Sequence, residues 1–327
     1  MRRLRGLFQQ YVPGDEALLR LARLRFEQAG LGAELYAGHP AELDRMLAFA
    51  PTAHAPPTVH LDRRLNLLVD RDREVVADFV RRYDGRVDGF IVHDQPQMDV
   101  RTEELVTAAR RLDADLRGHR SLIYIEYAAG HRPAWFRELG ARLADVARVS
   151  LCIDIGHVGV HQAHRALAQA LPDVTFTDLQ HDAGLLADHI DVVQSTVDAA
   201  LPTVLGMVRG LARTGTPLHL HLHDGHPLIP GVSDHFSFLT QVPLPFPYRG
   251  RLALDTMYGP AGLRAIVDTV AATTWPTTPS LLLEIHQTDG RRPLNDAAHL
   301  FGHWRDLTNA ERTNHWLAVL AENARLL

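Results

Sequence analysis

The sequence contains no lysine; all 34 of its basic residues are arginine. That absence excludes Schiff-base chemistry on a lysine amine, one route used by aldolases on α/β barrels. It also leaves any clamp for phosphate or carboxylate to Arg, His or backbone N–H. A single cysteine, Cys152, excludes an internal disulfide and fits a reducing compartment. It lies in the middle of an apolar run and reads as a small core residue. No apolar run is long enough to span a membrane, and the basic N-terminal segment (MRRLRGLFQQ) lacks the apolar stretch of a signal peptide. No membrane partner and a cytoplasmic location are therefore expected. Net charge is −5, so there is no global pull towards nucleic acid. No internal repeat, low-complexity tract or linker interrupts the chain.

Histidine, by contrast, is abundant: there are 20, many beside acids or at the ends of apolar runs. With 46% hydrophobic residues over 327, the chain can build one large barrel or two ordinary domains. Short β-rich runs alternate with helical patterns of ten to twenty residues, the signature of a parallel sheet buried on both faces. Strands are expected at Arg5–Tyr11, Ala33–Ala37, Thr58–Leu61, Gly89–His93, Leu122–Tyr127, Val149–Ile155, Pro217–His223 and Leu281–Ile285. Helices are expected at about 15–29, 41–49, 71–83, 102–116, 133–148, 162–171, 185–211, 261–272 and 313–326. Eight βα units in one domain, residues 1–327, predict a (β/α)8 TIM barrel. The connection from His226 to Pro279 is long and rich in Pro and aromatics, and is expected to cover the active site. Its β-like run Arg251–Asp255 is an alternative eighth strand, which would displace Arg5–Tyr11.

In such a barrel the active site lies at the C-terminal ends of the strands. Six expected strands end there in metal-ligand residue types. These are His60 and Asp62, then His93 and Asp94, then Glu126, then Asp154 and His157, then His219, His221, His223 and Asp224, and finally Glu284 and His286. The stretch 151–158 (LCIDIGHV) is the clearest. A bare carboxylate in an apolar β run costs several kcal/mol unless a partner or metal takes it up. Gly156 is read as breaking the run, leaving Asp154 and His157 to reach one point above the strand end. Carboxylate oxygen and imidazole nitrogen together suit Zn, Mn or Fe. The alternative is a buried polar network with Asp154 as a helix cap. On the strand of alternating histidines, His219 sits deepest and reads as a satisfied core residue. His221 is the best ligand, and His223 a supporting group or substrate contact. Asp234 and His235, in the long loop, form a further acid–His pair.

The ordered set Glu126, Asp154-x-x-His157, His221-x-x-Asp224 and Glu284 resembles the xylose isomerase-like barrel superfamily, over nearly the whole chain. The sugar isomerase and epimerase branch implies one metal held by Glu126, Asp154, His221 and Glu284. In that branch the two glutamates act as an acid–base pair and His157 touches substrate. The endonuclease IV branch implies further histidine ligands, matched by His60 and His93, and a loop acid, matched by Asp234, for three zinc ions. The chain departs at the last ligand: Phe236 stands where that branch has His, with His235 beside Asp234. The Gly-rich turn after that loop is also absent.

The resemblance therefore implies a di- or trinuclear site of divalent ions, with His60, His93, Glu126, Asp154, His157, His221, Asp234 and Glu284 as ligands. Glu126, Glu284 and His157 would be catalytic. Two or three ions at a barrel mouth suit hydrolysis of a sugar- or phosphate-containing substrate. Arg63, Arg64, Arg132, Arg291 and Arg292 lie near the mouth and could hold phosphates or be solvated loop charges. DNA is a possible substrate, although no stripe of Arg and aromatics supports it. The alternative is a mononuclear sugar isomerase or epimerase.

Overall fold

The computed structural model describes residues 3–8, 15–229, 246–248, 252–284 and 308–325. The chain parts into two compact units. The first comprises Met1–Asp154, Arg209–His221 and Thr273–Leu282, and the second Ile155–Val208, Leu222–Ala272 and Leu283–Leu327.

The first unit carries the ring of strands. These are β1 (Arg3–Leu7), β2 (Gly32–Tyr36), β3 (Thr58–His60), β4 (Gly89–His93), β5 (Leu122–Glu126), β6 (Val149–Asp154), β7 (Leu218–Leu222) and the start of a strand at Ser280–Leu283. They close in the order β1, Ser280–Leu283, β7, β6, β5, β4, β3, β2. Each of the pairings from β1–β2 round to β6–β7 is parallel. Helices α1 (Glu16–Gln28), α2 (Pro40–Leu47), α3 (Asp70–Tyr83), α4 (Thr102–Asp115) and α5 (Pro133–Arg142) connect successive strands.

Local chemistry sets these boundaries. Asp15 caps α1 by accepting the N–H groups of Ala17 and Leu18, and Leu19, Ala22 and Phe26 on one face of that helix are buried. Proline opens α2 and α5, where a missing N–H costs nothing. Beneath the ring, the buried Arg5 donates to Pro56 O at 2.6 Å, to Asp88 Oδ2 at 2.6 Å and to Ser280 Oγ at 2.7 Å. One rigid guanidinium fork thus joins β1 to the entries of three other strands. Gly140 on α5 meets the segment before β7 closely: a Cβ there would lie 2.5 Å from Leu211 Cδ2.

The second unit contains α6 (Ile155–Ala170), α7 (Phe176–His181), α8 (Ala183–Asp188), α9 (Ile190–Asp198) and the start of α10 (Ala200–Ala212). It also contains a hairpin of β8 (Phe246–Tyr248) and β9 (Leu252–Leu254), then α11 (Gly259–Ala272) and α12 (Asn309–Ala324). The strand Ser280–Leu283 is β10. Capping boxes begin α7, with Thr175 and Asp178, and α12, with Thr308 and Glu311.

One alternative is ruled out and two expectations are corrected. β9 pairs antiparallel with β8, outside the ring, so Arg3–Leu7 closes the barrel and the run 251–255 does not. The expected helix 185–211 is three helices: α8 ends before His189, and Pro202, which has no N–H, cannot extend a helix from α9 into α10. It sits instead in the first turn of α10. Finally, Gly156 does not break the chain: α6 begins at Ile155, and His157 lies in its first turn. Glycine on α6 serves close packing, since a Cβ on Gly159 would fall 2.5 Å from the Tyr258 hydroxyl and 2.6 Å from Met257 Sδ.

Candidate metal centre

Parallel register brings the first unit's polar strand ends together. His93 is the Cα partner of Glu126 across β4–β5, and Asp154 is the partner of His221 across β6–β7. His60 partners Tyr36, whose ring stacks on the imidazole at 4.7 Å and 10°. Side chains two residues apart on a strand share a face. His60, Glu126, Asp154 and His221 are all buried, while the His93 side chain keeps 22% of its exposure.

Glu126 is the centre of this group. Its Oε2 lies 2.8 Å from His60 Nε2 and 3.5 Å from His93 Nε2. Its Oε1 lies 3.5 Å from His221 Nδ1, which is also 3.7 Å from Asp154 Oδ2. The two carboxylate oxygens therefore face two different sets of donors. His60, His93 and Glu126 offer ligand atoms within 4.8 Å of one another, as do Cys152, His219 and His221.

The tautomer of His60 points to what the first set can hold. Its Nδ1 lies 3.0 Å from the carbonyl of Leu61, which can only accept, so Nδ1 carries the proton. In a neutral ring Nε2 then presents a lone pair to the Glu126 carboxylate at 2.8 Å. Two acceptors that close need a proton or a cation between them. An N–H bonded to a backbone carbonyl is also how metal-binding histidines are oriented.

The electrostatics agree. Burial alone would raise the carboxyl of Glu126, but His221, His60 and His93 outweigh it and hold the group well below the usual carboxylate range. Burial likewise opposes a charge on His60, yet Glu126 raises its pKa overall. Three buried carboxylates, Glu34, Glu126 and Asp154, lie in this one strand cluster. Such a charge is tolerated in a core only with compensating positive groups. The donor set thus fits divalent cations, with imidazole and carboxylate suiting Zn, Mn or Fe.

Glu34 was not singled out by sequence reasoning. It lies within an expected strand, in the segment GAELY, and its partners are remote in sequence. Its Oε2 accepts from Thr58 Oγ1 at 2.8 Å and from His219 Nε2 at 2.9 Å. Oε1 faces His221 Nε2 at 3.3 Å. His219 is thus buried and bonded to Glu34 through Nε2, but its Nδ1 has no hydrogen-bond partner among the described residues, so it is not the fully satisfied core histidine expected from its depth. Cys152 is also buried, and burial pushes its thiol up, so it stays protonated. Asp94 accepts the N–H groups of Ala128 (2.8 Å) and Ala129 (2.5 Å) through Oδ1 and fixes the turn after β5, while its Oδ2 lies 3.9 Å from His131 Nε2. Burial raises its pKa to about 6.

His157, His223 and Glu284 belong to the second unit. There His223 Nε2 lies 3.7 Å from Glu284 Oε2, and the His157 ring meets the His223 ring edge-on at 6.4 Å. Asp224 is a structural anchor. It accepts from Thr256 Oγ1 at 2.6 Å, from its neighbour Gly225 N, and from the backbone of Tyr258 and Gly259. His226 is buried and accepts from Leu228 N, and burial lowers its pKa to about 3. Asp234, His235, Phe236, His286, Arg291 and Arg292 lie outside the described residues.

No family model matches the chain, and no curated protein matches it. Solved structures do. A D-psicose 3-epimerase, determined in the presence of D-fructose, matches with a TM-score of 0.52 and 11% identity, over 100% of this chain and 99% of that one. The TTHB071 protein from Thermus thermophilus, soaked with ZnCl2, gives 0.44 and 17% over 98% of both chains. Endonuclease IV from Thermus thermophilus gives 0.47 and 17%, over 97% of this chain and 99% of that one. At 11% identity the first likeness is one of fold: the chain is a closed eight-stranded (β/α) barrel. Among the described residues, no helix is long and apolar enough to cross a membrane.

Proposed function

We propose that this protein is a divalent-metal-dependent hydrolase with a di- or trinuclear centre, acting on a phosphodiester or other phosphate- or sugar-containing substrate in the manner of endonuclease IV. One observation supports this most strongly: Glu126 turns one oxygen to His60 and His93, and the other to His221. A carboxylate that serves two donor sets is what two neighbouring ions require, and a mononuclear site has no use for His60 and His93. Zn, Mn or Fe held there would supply Lewis-acid polarisation of the substrate and a nucleophilic water.

The side chains divide the remaining work. Glu126 is held anionic, so it serves as a shared ligand and not as a proton donor near neutrality. His60 is fixed by Leu61 O and by the Tyr36 ring, so its Nε2 is presented without loss of rotamer freedom. His221 and Asp154 form the second donor set, and the partly exposed edge at His93 gives a substrate its approach. His157, Glu284 and the loop acid Asp234 complete the proposed ligands, with Glu284 and His157 also proposed to act on the substrate. Asp234 is carried by the sequence resemblance alone.

The test is metal content together with turnover. Purified protein is expected to hold two or three equivalents of ion per chain. It should cleave an abasic-site oligonucleotide or a small phosphodiester, and lose that activity to a chelator. A single equivalent with ketose epimerisation would replace this reading by proton transfer between Glu126 and Glu284. Full loading without turnover on either substrate class would make the protein a binding barrel.

A further inference from the structure

Glu34 lies one inward-facing position below the ligand set, and nothing in the proposed chemistry uses it. It is fully buried, and both of its oxygens face polar side chains. Its two oxygens have different roles. Oε2 is doubly satisfied by Thr58 Oγ1 and His219 Nε2. Oε1 accepts no hydrogen bond among the described residues and faces His221 Nε2 at 3.3 Å. The opposite nitrogen of the same ring, Nδ1, points to Glu126 and Asp154.

We infer that Glu34 is the positioning residue for His221: its Oε1 draws the ring proton to Nε2, so that the Nδ1 lone pair is aimed at the ion shared with Glu126 and Asp154. This rests on the metal reading above and specifies one part of it.

The physical case has three parts. An imidazole has one proton to place; both ring nitrogens of His221 face carboxylates, but an ion that takes the Nδ1 lone pair leaves Nε2 as the only place for the proton, and there Glu34 Oε1 accepts it. Carboxylate–histidine–metal arrangements use this to fix both tautomer and ring orientation, and losing the outer carboxylate weakens metal binding about 10- to 100-fold. Thr58 and His219 hold the Glu34 carboxylate by its other oxygen, so its direction is set by the strands β2, β3 and β7 before any ion arrives. The arrangement also accounts for His219. Its Nε2 serves as the donor that holds Glu34 Oε2 in place.

The experiment uses the full-length protein and zinc ion. Zinc affinity is measured by competition with a chromophoric chelator for wild type, Glu34→Gln and Thr58→Val. The His221 tautomer is read from ring-nitrogen chemical shifts in protein labelled with 15N-histidine. Zinc-loaded wild type is expected to show His221 protonated at Nε2. Glu34→Gln should bind zinc at the Glu126 cluster about 10- to 100-fold more weakly and lose that signature. Thr58→Val removes one support of Glu34 without touching His221. It should weaken zinc by a few-fold, and it stands as the second variant where Glu34→Gln does not fold. Equal affinity and an unchanged ring signature in both variants would overturn the inference and leave the metal site standing. Absence of zinc binding in wild type would instead remove the metal reading itself, and this inference with it.

Discussion

Glu126→Gln is the substitution to which the account is most sensitive. The change keeps the shape and removes one charge, yet it reaches both donor sets at once, because Oε2 serves His60 and His93 while Oε1 serves His221. Metal content should therefore fall below one tightly held ion per chain, not by a single ion from two or three. A second effect appears in the metal-free protein. Glu126 has a lowered pKa, so it contributes stability above its unfolded value near 4.5 and loses that contribution as pH falls through the lower folded value. His60 has a raised pKa, so it contributes below its unfolded value near 6.5 and loses that contribution as pH rises through the higher folded value. The pair is thus worth most between about pH 4.5 and 6.5. Both groups are buried, and breaking a buried pair on one side costs about 3–5 kcal/mol. Urea unfolding of wild type and Glu126→Gln in excess chelator, from pH 4 to 9, measures the difference. It should peak in the mildly acidic window and shrink on both sides. A difference that is independent of pH, or that grows above pH 8, would show that the pair does not exist as described. Unaltered metal content would show that Glu126 is not a shared ligand.

Other predictions concern single parts of the structure. Removing tightly bound ion from wild type should lower its melting temperature by about 5 °C, since ion at a hundredfold excess over Kd stabilises by about 2.7 kcal/mol; no shift on adding chelator would count against a resident metal. His60→Ala together with His93→Ala should remove about one ion and leave the His221 set loaded, as metal analysis would reveal; loss of every ion would mean the two sets are one. Asp224→Ala strips a buried acceptor from Thr256, Tyr258 and Gly259 and should cost about 2–3 kcal/mol by urea unfolding, with unchanged metal content. Gly140→Ala forces a methyl against Leu211 and should cost about 1–3 kcal/mol; a neutral result would mean α5 is free to move.

The ring of strands was legible because buried parallel strands write themselves as short apolar runs, and the bounds expected for Gly89–His93 are those observed. The buried polar strand ends were legible for the same reason: a polar residue at the end of such a run stands out. Glycine misled. Gly156 looked like a break, but α6 starts at Ile155, directly after Asp154, and runs through the glycine. Glu34 was hidden for a different reason. Inside GAELY it is a lone carboxylate on a strand, and the hydrogen bond that explains it reaches His219, 185 residues away. Contacts of that span come from barrel closure, and no local pattern announces them. Asp224 shows the converse. It sits in a motif suggestive of metal binding, but the structure uses it to tie down Thr256, Tyr258 and Gly259.

The central claim is that one carboxylate is shared by two ions. Anomalous scattering at the zinc edge from a zinc-loaded crystal tests it directly. The account predicts separate peaks on the two sides of the Glu126 carboxylate, one beside His60 and His93 and the other beside His221 and Asp154. A single peak touching only one oxygen of Glu126, or no peak within coordination distance of it, would contradict the account.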